Sequence, residues 1–236
     1  MKVRTSRPRR SFSVGITGHR PPLLDDEAEA IARPWLTEVL QELAGAAAEI
    51  GLSHPVLFGA PPLIPRFVSP LAEGADQLGA RVALEMGYRL HAILPLQPED
   101  YRTDFDIAGL TGFNALLSRA DSVEQLPEQA GARAESYAFA GRATVENSDV
   151  LIALWDGEPA RGVGGTAEVV AHALSSGVPV IHLTIPSDIP GCILWNGYED
   201  CLDLVDGEVA PSRPIDRASL RALIFAFFEQ QAAGHN

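Results

Sequence analysis

A glycine-rich turn between two apolar segments is the part of this sequence best suited to chemistry. The apolar run from Val150 to Leu154 stops at Trp155-Asp156, and Gly164-Gly165-Thr166 then precedes a helical pattern. Glycine lets a backbone approach a phosphate closely, and the first turn of a helix presents free N–H groups and partial positive charge. Thr166 could cap that helix and donate its hydroxyl. The pattern predicts a nucleotide-phosphate site; the alternative is a glycine turn with a capped helix.

Two further strand ends carry residues of a similar kind. Gly18-His19-Arg20 follows the short run from Ser11 to Thr17, and Glu73-Gly74-Ala75-Asp76 follows the run from Arg66 to Ser69. The carboxyl ends of parallel strands meet at one edge of a sheet, where folds of this type bind ligands. We therefore expect one pocket built from three loops.

Each polar residue in these loops has a functional and a structural interpretation. Arg20 fits a bidentate phosphate contact or a surface salt bridge, and His19 fits a base, a ribose or a backbone hydrogen bond. Glu73 and Asp76 could hold ribose hydroxyls or act as acid and base, although Asp76 also suits a helix N-cap. The predicted nucleotide-binding residues are Gly18, His19, Arg20, Glu73, Gly74, Asp76, Tyr137, Trp155, Asp156, Gly164, Gly165 and Thr166.

Composition excludes several classes of protein. Lys2 is the only lysine, so a P-loop nucleoside triphosphatase and a Schiff-base enzyme lack their essential residue. Cys192 and Cys201 show no metal-ligand spacing, and we expect neither a disulfide scaffold, a metal nor a cofactor. The basic start of the chain has no apolar stretch of secretory type, and no apolar run approaches the ~20 residues of a membrane span, so we expect a cytoplasmic protein.

Charge is distributed unevenly along the chain. The formal net charge is −13, yet residues 1–10 hold five of the 18 Lys and Arg residues and no acidic residue. This segment is expected to be a flexible basic arm, and the acidic remainder is expected to disfavour nucleic acid, because affinity for nucleic acid depends on neutralising phosphates.

The hydrophobic pattern supplies the elements that would position the site. It predicts strands over residues 11–17, 66–69, 89–94, 122–125, 150–154, 178–183 and 201–205. It predicts helices over residues 25–50, 76–86, 132–147 and 217–231, and one that opens at Thr166. Alternation of strands and helices indicates an α/β, Rossmann-like, doubly wound fold with a mostly parallel sheet and helices on both faces. Residues 11–236 are expected to form a single domain ending in a helix.

Three segments together resemble a known superfamily. The segment from Phe67 to Gly87, with its strand after it, is similar to a stretch of DNA-processing protein A, and the Gly-Gly-Thr-Ala turn is similar to the lonely-guy (LOG) phosphoribohydrolases. The segment from Val14 to Arg20 resembles the start of bacterial SLOG proteins of unassigned activity. The resemblance covers roughly residues 12–184 and implies the SLOG superfamily of Rossmann-like nucleotide-binding domains, with Gly164, Gly165 and Thr166 on a phosphate.

The departures from the LOG pattern bear on activity. LOG enzymes carry a glutamate three residues after the threonine and an Arg-Lys pair on the preceding helix; here Val169 takes the glutamate's place and Glu168 comes one position early. Binding of a nucleotide or nucleotide-derived signal is therefore the main prediction. The alternative is cleavage of an N-glycosidic bond in nucleoside monophosphates, with Glu73, Asp76 and Glu168 as candidate catalytic residues, and a third option is an interaction protein with a vestigial pocket.

Self-association is also expected. The resemblance implies a homodimer or a higher homo-oligomer. Small residues recur at helical spacing on the helix over residues 132–147, and this face suits either a partner subunit or the chain's own core; they are Ala134, Ala138, Gly141 and Val145.

Overall fold

An eight-stranded sheet organises the chain in the computed structural model, which describes residues 11–53, 63–127, 133–159, 164–185, 191–195, 203–205, 208–210 and 212–233. The strand order is β10-β7-β6-β5-β1-β2-β3-β4, and the six strands from β6 to β4 in that order are parallel. The expected α/β, mostly parallel architecture is confirmed. The predicted arm at residues 1–10 lies outside the described residues.

The strands of the large sheet have three to six residues each. They are β1 (Ser13–Gly18), β2 (Arg66–Ser69), β3 (Arg89–Leu94), β4 (Ser122–Gln125), β5 (Val150–Trp155), β6 (Val180–Thr184), β7 (Cys192–Leu194) and β10 (Ser212–Pro214), while β8 (Asp203–Val205) and β9 (Glu208–Ala210) form a separate pair. In the register of the central strand, Val14 of β1 lies beside Phe67 of β2 and Val150 of β5. From β1 the chain adds β2, β3 and β4 on one side of this strand, and then β5, β6 and β7 on its other side. The boundary between β1 and β5 is therefore a topological switch point.

Helices cover both faces of the sheet. They are α1 (Asp26–Ser53), α2 (Ala75–Glu85), α3 (Pro98–Tyr101), α4 (Ile107–Leu117), α5 (Arg133–Glu146), α6 (Thr166–Ser175) and α7 (Arg217–Ala233), with a 3-10 turn at Arg102–Asp104. One buried cluster joins α1, α2 and α7 to one face, and two smaller clusters join α5 and α6 to the other. The apolar side of α1 is buried, and its residues include Ala32, Leu36, Val39, Leu40, Leu43 and Ala47.

The small-residue face of α5 is used inside the chain. Ala138 and Val145 are buried, and a Cβ built on Gly141 would lie 2.6 Å from Cγ2 of Val169 on α6. Helices that approach this closely need a residue without a side chain at the contact. The structure therefore favours the intramolecular alternative for this face, so a homodimer would need another surface.

Candidate functional site

A cavity of about 260 Å³ opens at the carboxyl edge of the parallel strands, above the switch between β1 and β5. Its walls come from the ends of β1, β2, β3 and β5, from the segment containing α3, and from the facing ends of α5 and α6. Ten of the twelve predicted binding residues line it: Gly18, His19, Arg20, Asp76, Tyr137, Trp155, Asp156, Gly164, Gly165 and Thr166. The three predicted loops therefore do meet at one cavity.

Gly74 contributes packing instead of cavity wall. Its φ is +81°, and a Cβ at this position would clash with the carbonyl oxygen of His19 and lie 2.9 Å from Cα of Arg20. The amide of Ala75 donates to the His19 carbonyl at 3.0 Å, which fastens the loop after β1 to the start of α2. Gly74 thus allows two of the three loops to touch, and it is not among the cavity-lining residues.

His19 connects the loop after β1 to the end of β5. Its Nε2 accepts the amide hydrogen of Asp156 at 3.1 Å and lies 3.1 Å from Oδ1 of the same residue. An unprotonated Nε2 accepts from the amide, whereas a protonated Nε2 donates to the carboxylate, since one nitrogen cannot do both at once. The side chains of His19 and Asp156 therefore hold each other at the cavity wall.

The glycine turn presents unused donors to the cavity. Gly165 is the N-cap of α6 and Thr166 is the first helical residue, so the expected capping role of Thr166 is wrong. The amides of Thr166 and Ala167 have no acceptor among the described residues, since the first turn of a helix lacks preceding carbonyls. These two N–H groups, with the Thr166 hydroxyl, could donate hydrogen bonds to an anion at this helix end.

Glu168 organises this turn from outside the cavity. Its Oε2 accepts the amide hydrogen of Gly164 at 2.8 Å, and its Oε1 lies 3.9 Å from the guanidinium of Arg142. Gly164 has a φ of +78°, and a Cβ there would lie 2.9 Å from the amide nitrogen of Ala138. The carboxylate of Glu168 therefore fixes the turn and does not reach the cavity, which corrects its place among the catalytic candidates.

Glu73 also lies away from the cavity. Its Oε1 accepts the amide hydrogen of Asp106 at 2.8 Å, and its carboxylate occupies the space that a Cβ on Gly109 would need. A carboxylate in this position supports the start of α4. We therefore revise the expected ribose-binding or catalytic role of Glu73 to a structural one.

Asp76 is the candidate carboxylate that does line the cavity. It lies in the first turn of α2, whose N-cap is Gly74, and its Oδ2 accepts a hydrogen bond from the amide of Ala72 at 3.3 Å. Burial raises the pKa of Asp76 to about 7, against the opposing effects of the Arg20 charge and the Ala72 hydrogen bond. A carboxyl group with this pKa changes its protonation near neutral pH.

Arg20 and two tyrosines, Tyr101 and Tyr137, form another part of the cavity wall. The Arg20 guanidinium lies 5.2 Å from the centre of the Tyr137 ring, and the hydroxyl of Tyr137 donates to Asp104. Tyr101 is fully buried, and its hydroxyl has no hydrogen-bond partner among the described residues. Tyr101 belongs to no sequence motif, and its only signal in the sequence is a position shortly after the end of β3.

Trp155 completes the cavity as a half-buried aromatic wall at the end of β5. Its ring centre lies 5.2 Å from that of His182, and its carbonyl accepts a hydrogen bond from Nε2 of His182 at 2.9 Å.

Within the described ranges, no group of His, Cys, Asp and Glu side chains is arranged to hold a metal ion. The helices described in the structure include none long and apolar enough to cross a membrane.

Two solved structures are similar to this chain. DNA processing protein A from Streptococcus pneumoniae has a TM-score of 0.47 and 17% identity, covering 76% of this chain and 52% of that one. DNA processing protein A from Helicobacter pylori has a TM-score of 0.45 and 18% identity, covering 76% of this chain and 67% of that one. This chain thus spans about half the length of the first protein. No family model and no curated protein matches the sequence.

The expectation that nucleic acid is an unlikely partner is overturned by this comparison. The structure from Helicobacter pylori is described by its single-stranded DNA binding mode. We therefore withdraw the exclusion of nucleic acid that was based on the net charge of this chain.

Proposed function

We propose that this chain is a SLOG-type domain, formed by residues 11–236 after a basic arm at residues 1–10, that binds a nucleotide or a nucleotide-derived ligand. One observation carries the proposal. The amides of Thr166 and Ala167 begin α6 at the cavity wall, and among the described residues they have no acceptor. The same cavity contains Arg20, whose guanidinium makes no ion pair with a described residue. A helix end and a guanidinium in one cavity favour an anionic ligand.

The remaining walls fit the other parts of a nucleotide. In this proposal the phosphate lies on Gly165 and Thr166, and the Trp155 ring at the cavity wall packs against the base. The Tyr137 ring, over which the Arg20 guanidinium lies, borders the same space. The described walls enclose about 260 Å³, somewhat below the ~300–1,000 Å³ of typical ligand pockets. This size favours a mononucleotide-sized ligand over an extended one.

Gly165→Val tests the proposal. Gly165 has φ −76° and ψ 163°, an extended conformation that valine adopts readily, so the fold should persist while the added side chain covers the helix end. Calorimetric titration with a panel of nucleoside mono- and diphosphates should detect at least one ligand for the wild type and none for the variant. Gly45→Val is the matched control, because a Cβ on Gly45 meets no atom within 4 Å.

The titration has two informative failures. If no member of the panel binds the wild type more tightly than millimolar, the phosphate site is refuted. If Gly165→Val binds as tightly as the wild type, the ligand does not lie on the glycine turn. A short single-stranded oligonucleotide in the same panel reports whether the nucleotide is recognised as part of a polymer.

Cleavage of an N-glycosidic bond is the second candidate function. It is favoured by Asp76, the one of the three candidate carboxylates that lines the cavity, since a pKa of about 7 suits a general acid or base. Glu73 and Glu168 are both engaged elsewhere, so binding without cleavage remains our main proposal. Incubation with nucleoside monophosphates should release little or no free base on chromatography. Rapid release that Asp76→Asn abolishes would favour the hydrolase.

A further inference from the structure

Tyr101 has a buried hydroxyl that forms no hydrogen bond with any described residue. The side chain is fully buried, lines the cavity, and finds no hydrogen-bond partner for its oxygen in the described part of the chain. Its ring is held from three sides, by Phe105 at 4.8 Å, Phe113 at 5.5 Å and Tyr137 at 6.2 Å between ring centres. Leaving a buried hydroxyl without a partner is unfavourable, so its retention at a cavity wall points to a partner that the chain does not provide.

Arg20 and Asp76 are ionisable residues that line the same cavity as Tyr101. Burial raises the pKa of Tyr101 well above its usual value; the positive charge of Arg20 opposes that rise and the carboxyl of Asp76 adds to it. The Arg20 charge also opposes the raised pKa of Asp76, yet the two side chains form no ion pair. All three side chains line the same cavity, so a ligand bound there lies beside each of them.

We propose that Arg20, Asp76 and Tyr101 form a polar subsite bridged by a ligand group that accepts hydrogen bonds from Arg20 and Tyr101 and donates one to Asp76. Arg20 can only donate, an ionised Asp76 can only accept, and the Tyr101 hydroxyl can do either. A group that both accepts and donates is therefore required. This inference rests on the proposed function, since it assigns the part of the nucleotide that lies away from the phosphate.

Two parts of a nucleotide carry such a group. The vicinal diol of ribose has two hydroxyls that donate and accept, and the hydrogen-bonding edge of a base pairs a donor with an acceptor. The test separates them with ligands that hold one part only. Ribose 5-phosphate carries the diol without a base, and 2′-deoxynucleotides carry the base without the complete diol.

The experiment titrates wild type, Tyr101→Phe and Asp76→Asn with adenosine and guanosine monophosphates, their 2′-deoxy forms and ribose 5-phosphate. It is run at pH 8, above the pKa of about 7 for Asp76. Tyr88→Phe is the matched control, because this buried tyrosine lies outside the cavity and its hydroxyl donates to the Leu40 carbonyl at 2.7 Å. We expect both test variants to bind the best ribonucleotide about tenfold more weakly, and Tyr88→Phe to bind it as the wild type does.

The pattern across ligands identifies the bridging part. If the variants lose affinity tenfold for ribose 5-phosphate but not for 2′-deoxynucleotides, the bridging group is the ribose diol. If they lose affinity for 2′-deoxynucleotides but not for ribose 5-phosphate, the bridging group belongs to the base. Tyr101→Phe should unfold at the same or a higher temperature than the wild type, because it removes only an unsatisfied hydroxyl, so weaker binding cannot be ascribed to loss of the fold. If the wild type binds a nucleotide and both test variants bind it equally well, the subsite is refuted and the proposed function survives. If the wild type binds none of these ligands, both fail.

Discussion

Asp76 is only 7% exposed in the first turn of α2, and this position determines its chemistry more than its residue type does. Asp residues on a surface are ionised at neutral pH, whereas removal of Asp76 from water raises its pKa to about 7. The neighbouring Glu73 has a similar side chain but supports α4 instead. These two carboxylates, three residues apart, thus have different roles, because Asp76 is buried at the cavity and Glu73 is bound to the start of α4.

The raised pKa of Asp76 makes stability depend on pH. In the unfolded chain Asp76 loses its proton near pH 3.8, but in the folded chain it keeps the proton to about pH 7, so the folded state binds more protons between these values. The free energy of unfolding should therefore fall as pH rises from about 4 to about 7, by as much as ~4 kcal/mol from this group.

Urea denaturation at pH 5 and pH 7.5 measures this effect for wild type and Asp76→Asn. The variant has no proton to lose at this position, so its decrease between the two pH values should be smaller than that of the wild type. Equal decreases in the two proteins would show that Asp76 does not titrate as described.

Replacing a glycine by alanine should have opposite effects on stability at Gly164 and at Gly45. Gly164→Ala should lower the free energy of unfolding by about 1–3 kcal/mol, because alanine is strained at a φ of +78° and its Cβ would lie 2.9 Å from the Ala138 amide nitrogen. Gly45→Ala should instead raise it by about 0.5–1 kcal/mol, since Gly45 lies inside α1 with open space around it. Chemical denaturation of both variants measures the sign of each change in the free energy of unfolding. A higher free energy of unfolding for Gly164→Ala than for the wild type would contradict strain in the turn.

Glu73→Ala separates a structural from a ligand-binding role. Loss of the hydrogen bond to the Asp106 amide should lower the free energy of unfolding by about 1 kcal/mol through the start of α4. Nucleotide affinity should change by less than twofold, because Glu73 does not line the cavity. Denaturation and calorimetric titration of the same preparation measure both quantities. A stable variant that no longer binds nucleotide would restore the original interpretation of Glu73.

At the scale of the whole molecule, the contact between α5 and α6 bears on assembly. Gly141→Trp places a large ring where even a Cβ would lie 2.6 Å from Val169, so it should force these helices apart within one chain. We expect it to lower the free energy of unfolding by at least about 2 kcal/mol. The mass found by light scattering under folded conditions should be unchanged. A stable variant with a smaller particle mass than the wild type would show that this face joins two subunits.

Most of the parallel sheet could be predicted because each central strand carries its own apolar signal. The boundaries of β2, β3 and β4 match the predictions at both ends, and the helix predicted over residues 25–50 corresponds to α1. The antiparallel strands β7 and β10 were missed, since each has only three residues and is defined by its pairing. The short helix α3 was missed for a similar reason: four residues are too few for a helical period.

The sequence by itself determined the fold class and the edge of the sheet where the loops converge, because hydrophobic period and glycine position are local properties of the chain. Only the tertiary structure decided which polar side chains face the cavity. Glu73 and Asp76 are three residues apart, yet one reaches α4 and the other is buried beside Arg20. Tyr101 lines the cavity although its segment carries no sequence motif. Its burial depends on Phe105, Phe113 and Tyr137 packing around its ring, which only the tertiary structure shows.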